Sequence, residues 1–162
     1  MDADIIGNAR LEAFAERARA AGRILYGDVC RLQRNVLPHG IETREQVRLL
    51  LELDRSVPRA DRAFGEFLVA SIVSFVVWGE RPTGRVEEDV ADWLIDCLCS
   101  ERLTRTGVAI VAEILEEADQ SAPALLALLE RRRRIALPVF DKDESRVPET
   151  DASADAAVAQ AA

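Results

Sequence analysis

Residues 86–98 read VEEDVADWLIDCL, and they carry the clearest helical pattern in the chain. Acidic residues gather at the start of this stretch, where the dipole of a helix favours negative charge. The apolar residues recur at i, i+4, i+7, i+8, i+11 and i+12, which places them on one face of an α-helix: Val86, Val90, Trp93, Leu94, Cys97 and Leu98. We therefore expect an amphipathic helix that buries Trp93.

The chain before this stretch is also helical in character. Aromatic residues make up only 5% of the sequence, and Ala, Leu, Glu and Arg dominate, so helix propensity is high and no convincing strand appears. Gly22 is expected to break a first helical stretch over residues 5–36. Thr43 is expected to cap the next helix, with Gln46 as its capping-box partner. A helix over residues 59–78 is apolar on all sides, which predicts a central element that is buried all round.

The chain after residue 98 continues in helices and then changes composition. A helix ends near Asp119, and Ser121 and Pro123 open the last one, in which five residues are expected to pack inward: Leu125, Leu126, Leu128, Leu129 and Ile135. The chain thus predicts an all-α fold, a single-domain bundle of about seven helices over residues 1–140. Residues 141–162 predict a disordered, acidic, Ala-rich tail, since they have almost nothing to bury.

Composition and charge narrow the class of function. A net charge of −8 disfavours binding to nucleic acid, because phosphates attract mainly Lys and Arg. The most apolar run, residues 67–78, is shorter than the ~20 residues that cross a bilayer, so no membrane association is expected. The cysteines are Cys30, Cys97 and Cys99, an odd number without paired spacing, and no leader pattern opens the chain. We therefore expect a cytoplasmic protein with structural thiols.

Short loop-plus-helix units recur along the chain. The segments GIETRE at 40–45 and GRVEED at 84–89 each open a helix, and LTRTG at 103–107 does so more weakly. Each has a turn, an apolar residue, a capping group and then a helix. A duplication of helical hairpins would produce this pattern.

Two stretches carry a family resemblance. Residues 36–53 and residues 75–94, which include WGERPTGRV, resemble an uncharacterised bacterial all-helical protein family that is itself similar to TerB-like domains of the tellurite-resistance type. The resemblance spans residues 24–135 and is strongest in the turns. It implies a TerB-like helical domain with acidic loop motifs that bind a divalent metal, and a role in stress response.

The chain departs from the family pattern where such a metal would bind. His39 stands in the place of an Asp, and Gln46 replaces a Glu, while Glu45 remains. A hard cation needs several converging oxygen ligands, so the lost acids predict that tight binding is abolished. A histidine with two carboxylates is still a usable transition-metal set, which makes His39, Glu42 and Glu45 the candidate metal ligands. The alternative, which we prefer, is that His39 is an exposed turn residue.

A basic cluster ends the last predicted helix, where cations complement the helix dipole. It consists of Arg131, Arg132, Arg133 and Arg134. If the cluster has a function, we expect it to contact a partner protein, an anion or the acidic tail. Without interleaved aromatic residues it is weak evidence for nucleic-acid binding.

Catalytic patterns are not found in the sequence. The one histidine has no recognisable nucleophile motif beside it, and the glycines near residue 80 lack the lysine of a phosphate-binding loop. We therefore expect no enzyme, no catalytic residue and no cofactor. The sequence favours a non-catalytic helical interaction or regulatory module that binds an unidentified protein partner, as a monomer or a weak homodimer. The alternative is a TerB-like divalent-metal-binding or stress-response protein with a degenerate acidic loop site.

Overall fold

A computed structural model describes residues 2–136, with side-chain surroundings for residues 7–135. This range folds as a single all-α domain, as predicted, and the predicted tail at 141–162 lies outside it. Two of the helices continue into a π-helical turn. The helices are α1 (Asp2–Ala21), α2 (Tyr26–Arg31) with the turn Leu32–Val36, α3 (Arg44–Ser56), α4 (Arg62–Val73) with the turn Ser74–Gly79, α5 (Glu88–Cys99), α6 (Arg105–Glu117) and α7 (Pro123–Ala136).

Four very short strands also join the helices, in two parallel pairs. The pairs are β1 (Arg23–Ile24) with β2 (Arg59–Ala60), and β3 (Arg85–Val86) with β4 (Gln120–Ser121). Each pair is extended by one more backbone bond, from Asp61 N–H to Ile24 O at 2.8 Å and from Ala122 N–H to Val86 O at 2.9 Å. No strand was expected from the sequence, because two residues are too few to show an alternating pattern.

The two strand pairs belong to an internal duplication. Both α3 and α6 have 13 residues and lead into the second strand of a pair. Thr43 and Thr104 cap them in the same way, since each Oγ1 accepts a backbone N–H, from Gln46 at 3.3 Å and from Gly107 at 3.0 Å. The first half is therefore α1–β1–α2–α3–β2–α4 and the second is α4–β3–α5–α6–β4–α7, with α4 shared.

The predicted duplication is present, but its units were misplaced. Residues 40–45 and 103–107 are equivalent to each other, because both lead into a threonine-capped helix. Residues 84–89 instead correspond to the segment that starts at Gly22. Gly22 and Gly84 both have positive φ, 63° and 79°, and each directly precedes a strand. The break expected at Gly22 is confirmed.

Helix α4 begins later than predicted and is less buried. Its first residue is Arg62 rather than residue 59, because the Oδ1 of Asp61 accepts the N–H of Ala63 at 2.9 Å and caps the helix. The prediction that it is buried all round is wrong: only 39% of the residues in α4 and its π-helical turn are buried. An apolar composition shows which residues are able to be buried, and the neighbouring elements decide which of them are.

The same segment, Arg62–Gly79, is the one helix in the described range that is long and apolar enough to cross a membrane, with a mean hydropathy of 1.4. The core helix of a soluble protein satisfies that criterion equally well. Phe64, Leu68 and Ile72 are fully buried in the core. One face of this segment therefore packs in the core, as the face of a core helix does.

The remaining apolar stripes are only partly as expected. In α5, Leu94 and Cys97 are buried, while Trp93 is partly buried beneath the Arg44 guanidinium, 4.9 Å from its ring centroid. In α7, the inward packing of Leu126 and Ile135 is wrong, since these side chains are 51% and 71% exposed. Helix α7 packs against α5 and α6 on one side only, which leaves its other face in solvent.

Candidate functional site

The structure does not bring the predicted metal ligands together. The side chains of His39, Glu42 and Glu45 are all exposed. Gln46 helps to cap α3. Its Oε1 accepts the backbone N–H of Glu42 at 2.9 Å, whereas the predicted capping box uses the N–H of Thr43, one residue later. Among the described residues, no group of three or more His, Cys, Asp or Glu side chains is placed to hold a metal ion.

The predicted basic cluster lies on the surface. Arg131, Arg132, Arg133 and Arg134 are all exposed near the end of α7. Burial raises the pKa of the Cys99 thiol, and the positive charge of Arg131 partly opposes that rise, which shows that the cluster lies close to the end of α5. The structure thus presents these arginines to solvent, and the predicted partner or anion contact stays a prediction.

A large groove on the described surface lies between α4 and α6. It is open to solvent and has a volume of about 810 Å³. Its central lining is small or apolar and consists of Gly65, Val69, Ala70, Val73, Ser74 and Ala109. No local sequence pattern predicts this surface, because it forms only when two helices that are distant in the chain pack side by side.

The two helices of the groove run in the same direction. Near their N-terminal ends, a Cβ atom added to Gly65 would lie 3.9 Å from the Oγ1 of Thr106. Near their C-terminal ends, the indole N–H of Trp78 donates to Oε2 of Glu117 at 3.2 Å. From Gly65 to Trp78 a helical rise of 1.5 Å per residue gives a groove of ~20 Å.

Trp78 stands at the C-terminal end of the groove with 53% of its surface exposed. Its ring lies beside Gly84, where an added Cβ would be 3.8 Å away, and its N–H is held by Glu117. Trp78 also lines a second, smaller pocket of about 440 Å³ together with His39 and Ser71. A large aromatic side chain is therefore presented to solvent in a defined position.

Charged side chains at the rim give the groove a direction. Arg62 and Arg105 lie at its N-terminal end, and Arg62 donates from Nε to Oε1 of Glu66 at 2.7 Å. Glu113 and Glu117 lie at its C-terminal end. The groove is therefore more basic at one end and acidic at the other.

The duplication provides an internal comparison for this surface. Since α3 and α6 are equivalent helices of equal length, Arg48 and Glu52 of α3 occupy the positions of Ala109 and Glu113 in α6. Arg48 and Glu52 are both exposed. A long charged side chain in the first half thus replaces the small Ala109 at the centre of the groove.

The C-terminal ends of the two equivalent surfaces also differ, with a charged side chain in the first half and an aromatic one in the second. In the first half, Arg19 of α1 donates from Nε to Oγ of Ser56, the last residue of α3, at 3.3 Å. The Arg19 guanidinium also lies 3.9 Å from the Glu52 carboxylate. In the second half, Trp78 makes the matching contact to Glu117, the last residue of α6. An arginine in one half is therefore matched by an exposed tryptophan in the other.

Comparisons with protein-family models, with curated proteins and with solved structures find no match for this chain. The similarity to TerB-like domains stays a prediction from the turn sequences.

Proposed function

We propose that this chain is a non-catalytic protein-interaction module and that the groove between α4 and α6 is its binding surface. The observation that carries the proposal is Trp78, a large side chain that is 53% exposed and held at the end of an apolar groove. Protein interfaces place aromatic residues of this kind in an apolar centre that a polar rim surrounds. Arg62, Arg105 and Glu113 provide such a rim.

The difference between the two halves supports the proposal. The equivalent helix pair in the first half, α1 and α3, is covered by charged side chains, because Arg19 and Arg48 lie at its surface. The fold therefore does not require an apolar surface at this place. Exposed apolar patches with a polar rim mark interaction sites more often than chance, because they reduce solubility when they have no partner.

The cytosol is the proposed location. Cys30, Cys97 and Cys99 are free thiols in the structure. Free thiols persist in a reducing compartment, whereas secreted domains of this size usually pair their cysteines.

The proposal is tested with a substitution that fills the groove and a matched substitution elsewhere. Ala109→Glu introduces a charged side chain at the centre of the groove, and Ala13→Glu makes the same change on the exposed face of α1. Partners are captured from cell extract with each variant, identified by mass spectrometry, purified and titrated against the protein. Binding is followed by the fluorescence of Trp78 in a Trp93→Phe background.

We expect the Ala13→Glu protein to bind like the unmodified one and Ala109→Glu to weaken the purified complex by about tenfold or more, because it places an unpaired charge in the interface. Both variants should keep the unmodified melting temperature, since both positions are exposed. A partner that binds all three proteins with equal affinity would show that the groove is not the binding surface.

A further inference from the structure

We infer that the groove binds an amphipathic α-helix of the partner, antiparallel to α4 and α6, with basic residues near the N-terminus of that helix and acidic residues near its C-terminus. The inference rests on the proposed function, because it names the class of ligand for the same groove. It follows from the shape of the groove, from its length and from the distribution of charge along it.

The shape of the groove favours a helix over an extended peptide. Both of its walls are α-helices, whose backbone groups are bonded within each helix, so the described groove offers no strand edge to which a peptide could add. Small residues in its centre, among them Gly65, Ala70 and Ala109, leave room for a ridge of side chains. Helices pack on one another in this way at interaxial distances of about 8–10 Å.

The length of the groove sets the length of the ligand. A span of ~20 Å matches about 13 residues, or nearly four helical turns. A helix of this length that lies along the groove presents apolar residues at i, i+3 or i+4, i+7 and i+11 to Val69, Ala70 and Ala109. Trp78 then contacts one end of the bound helix.

The charges select the direction of that helix. The N-termini of α4 and α6 lie together at the end that carries Arg62 and Arg105, where Glu66 pairs with Arg62 and leaves a net side-chain charge of +1, to which the helix dipoles add positive potential. The C-terminal end of a bound helix has the opposite potential and is attracted to this end. Its N-terminal end, with the basic residues, then meets Glu113 and Glu117. Helix dipoles and side-chain charges thus favour the same antiparallel arrangement.

The inference is tested by selection from a display library of 18-residue peptides with randomised sequence. The library is selected on the full-length protein and then sorted against the Ala109→Glu variant. A second selection uses the Arg105→Glu, Glu113→Lys double variant, in which one charge at each end of the groove is reversed, so that the end at the N-termini of α4 and α6 becomes the more negative one. Circular dichroism of the enriched peptides bound to protein reports their helicity.

We expect peptides that lose binding to Ala109→Glu to show apolar residues at helical spacing, basic residues in the first turn and acidic residues in the last. Reversal of Arg105 and Glu113 should reverse the preferred order of charge, with about a tenfold change in relative affinity from two surface ion pairs. Enriched peptides without helical spacing, or with the same charge order on both proteins, would overturn the inference while leaving the groove as the binding surface.

Two other occupants are separate outcomes. Sedimentation that shows a dimer of this chain, dissociated by Ala109→Glu, would assign the groove to a second copy and overturn the inference. Binding to vesicles of phosphatidylethanolamine and phosphatidylglycerol that depends on Ala109 would assign it to a lipid surface and do the same. Enriched peptides that bind Ala109→Glu as well as the unmodified protein would instead contradict the proposed function itself.

Discussion

The indole N–H of Trp78 donates a hydrogen bond of 3.2 Å to Oε2 of Glu117 and so joins the end of the α4 segment to the last residue of α6. This bond fixes the direction of a side chain that is 53% exposed. Burial of such a side chain in the monomer is incomplete, so most of its apolar surface is still available for burial against another molecule. The structure therefore separates a tryptophan suited to binding, Trp78, from one that serves the fold, Trp93.

The two tryptophans should differ in their effect on stability. Trp93 packs against the core and beneath Arg44, so Trp93→Ala is expected to lower the free energy of unfolding by ~2–4 kcal/mol. Trp78→Ala should lower it by less than ~1.5 kcal/mol, because half of the side chain is already in water. Urea denaturation followed by circular dichroism measures both. An equal loss for the two variants would show that Trp78 is a structural residue.

Two glycines that precede strands should respond differently to alanine. Both have positive φ, so either substitution strains the backbone, by ~1 kcal/mol at Gly22, where nothing lies within 4 Å of an added Cβ. At Gly84 the new Cβ would also lie 3.1 Å from Oδ2 of Asp119, an exposed side chain that can shift by a few tenths of an ångström, so the additional loss should be at most ~1 kcal/mol. Gly27→Ala has neither problem and should be neutral or stabilising. A melting temperature for Gly84→Ala above that of Gly22→Ala would contradict this reasoning.

Arg44 should be the most important exposed charge of α3. Its Nε donates to Oε1 of Glu80 at 2.6 Å, and this hydrogen bond raises the pKa of Arg44, so the guanidinium stays charged even at strongly alkaline pH. Arg44→Met is expected to lower the free energy of unfolding by ~1 kcal/mol in low salt. Arg48→Met, one turn further along, should change it by less than ~0.5 kcal/mol. If both variants unfold at the same urea concentration, the Glu80 contact contributes nothing.

The thiol of Cys99 should be slow to alkylate at neutral pH. Cys99 is an exposed residue, but partial burial of its thiol raises the pKa, Arg131 lowers it and Asp96 raises it, with a net increase. Since the thiolate is the reactive form, a raised pKa reduces the rate below that pKa and leaves it unchanged well above it. Asp96→Asn should therefore speed the reaction with iodoacetamide at pH 7.5, and Arg131→Ala should slow it. Mass spectrometry of the Cys99 peptide across a pH series measures these rates, and opposite effects would contradict the assigned charges.

The metal alternative leads to a separate experiment. A site that used His39, Glu42 and Glu45 would give a zinc- or calcium-dependent rise in melting temperature that His39→Ala removes. The exposed and separate positions of these side chains lead us to expect no such rise. His39→Ala should also leave the metal-free melting temperature unchanged. A metal-dependent rise that the substitution abolishes would favour the TerB-like alternative.

Local sequence patterns were enough to predict most of the helical architecture. The threonine cap at Thr43, the break at Gly22 and the start of the last helix at Pro123 depend on a few adjacent residues, and the structure confirms all three. The stripe of α5 was predicted in part, because its period reports which face is apolar. Leu94 and Leu98 are buried as expected, whereas Trp93 is only partly buried and Val86 lies in β3.

The groove could not be predicted in the same way. Residues 67–78 are apolar on all sides, so periodicity does not tell which side a neighbour covers, and Trp78 was placed in the core. The small residues Ala70 and Ser74 lie on the open face and continue the polar positions Arg62 and Glu66 at a spacing of four, which is a local signal of that face. The pairing of α4 with α6 and the contrast with α3 depend on contacts between distant parts of the chain.

Photo-cross-linking in living cells tests whether the groove contacts another protein, and it does not require the partner to be purified. A photoreactive amino acid is placed at position 109 in the centre of the groove, and at position 48, its charged equivalent in the first half. We expect one discrete adduct from position 109, formed with a helical segment of another protein and lost when Trp78→Ala is added, and no such adduct from position 48. Equal adducts from both positions, or an adduct at 109 that persists without Trp78, would contradict the assignment of the groove as the binding surface.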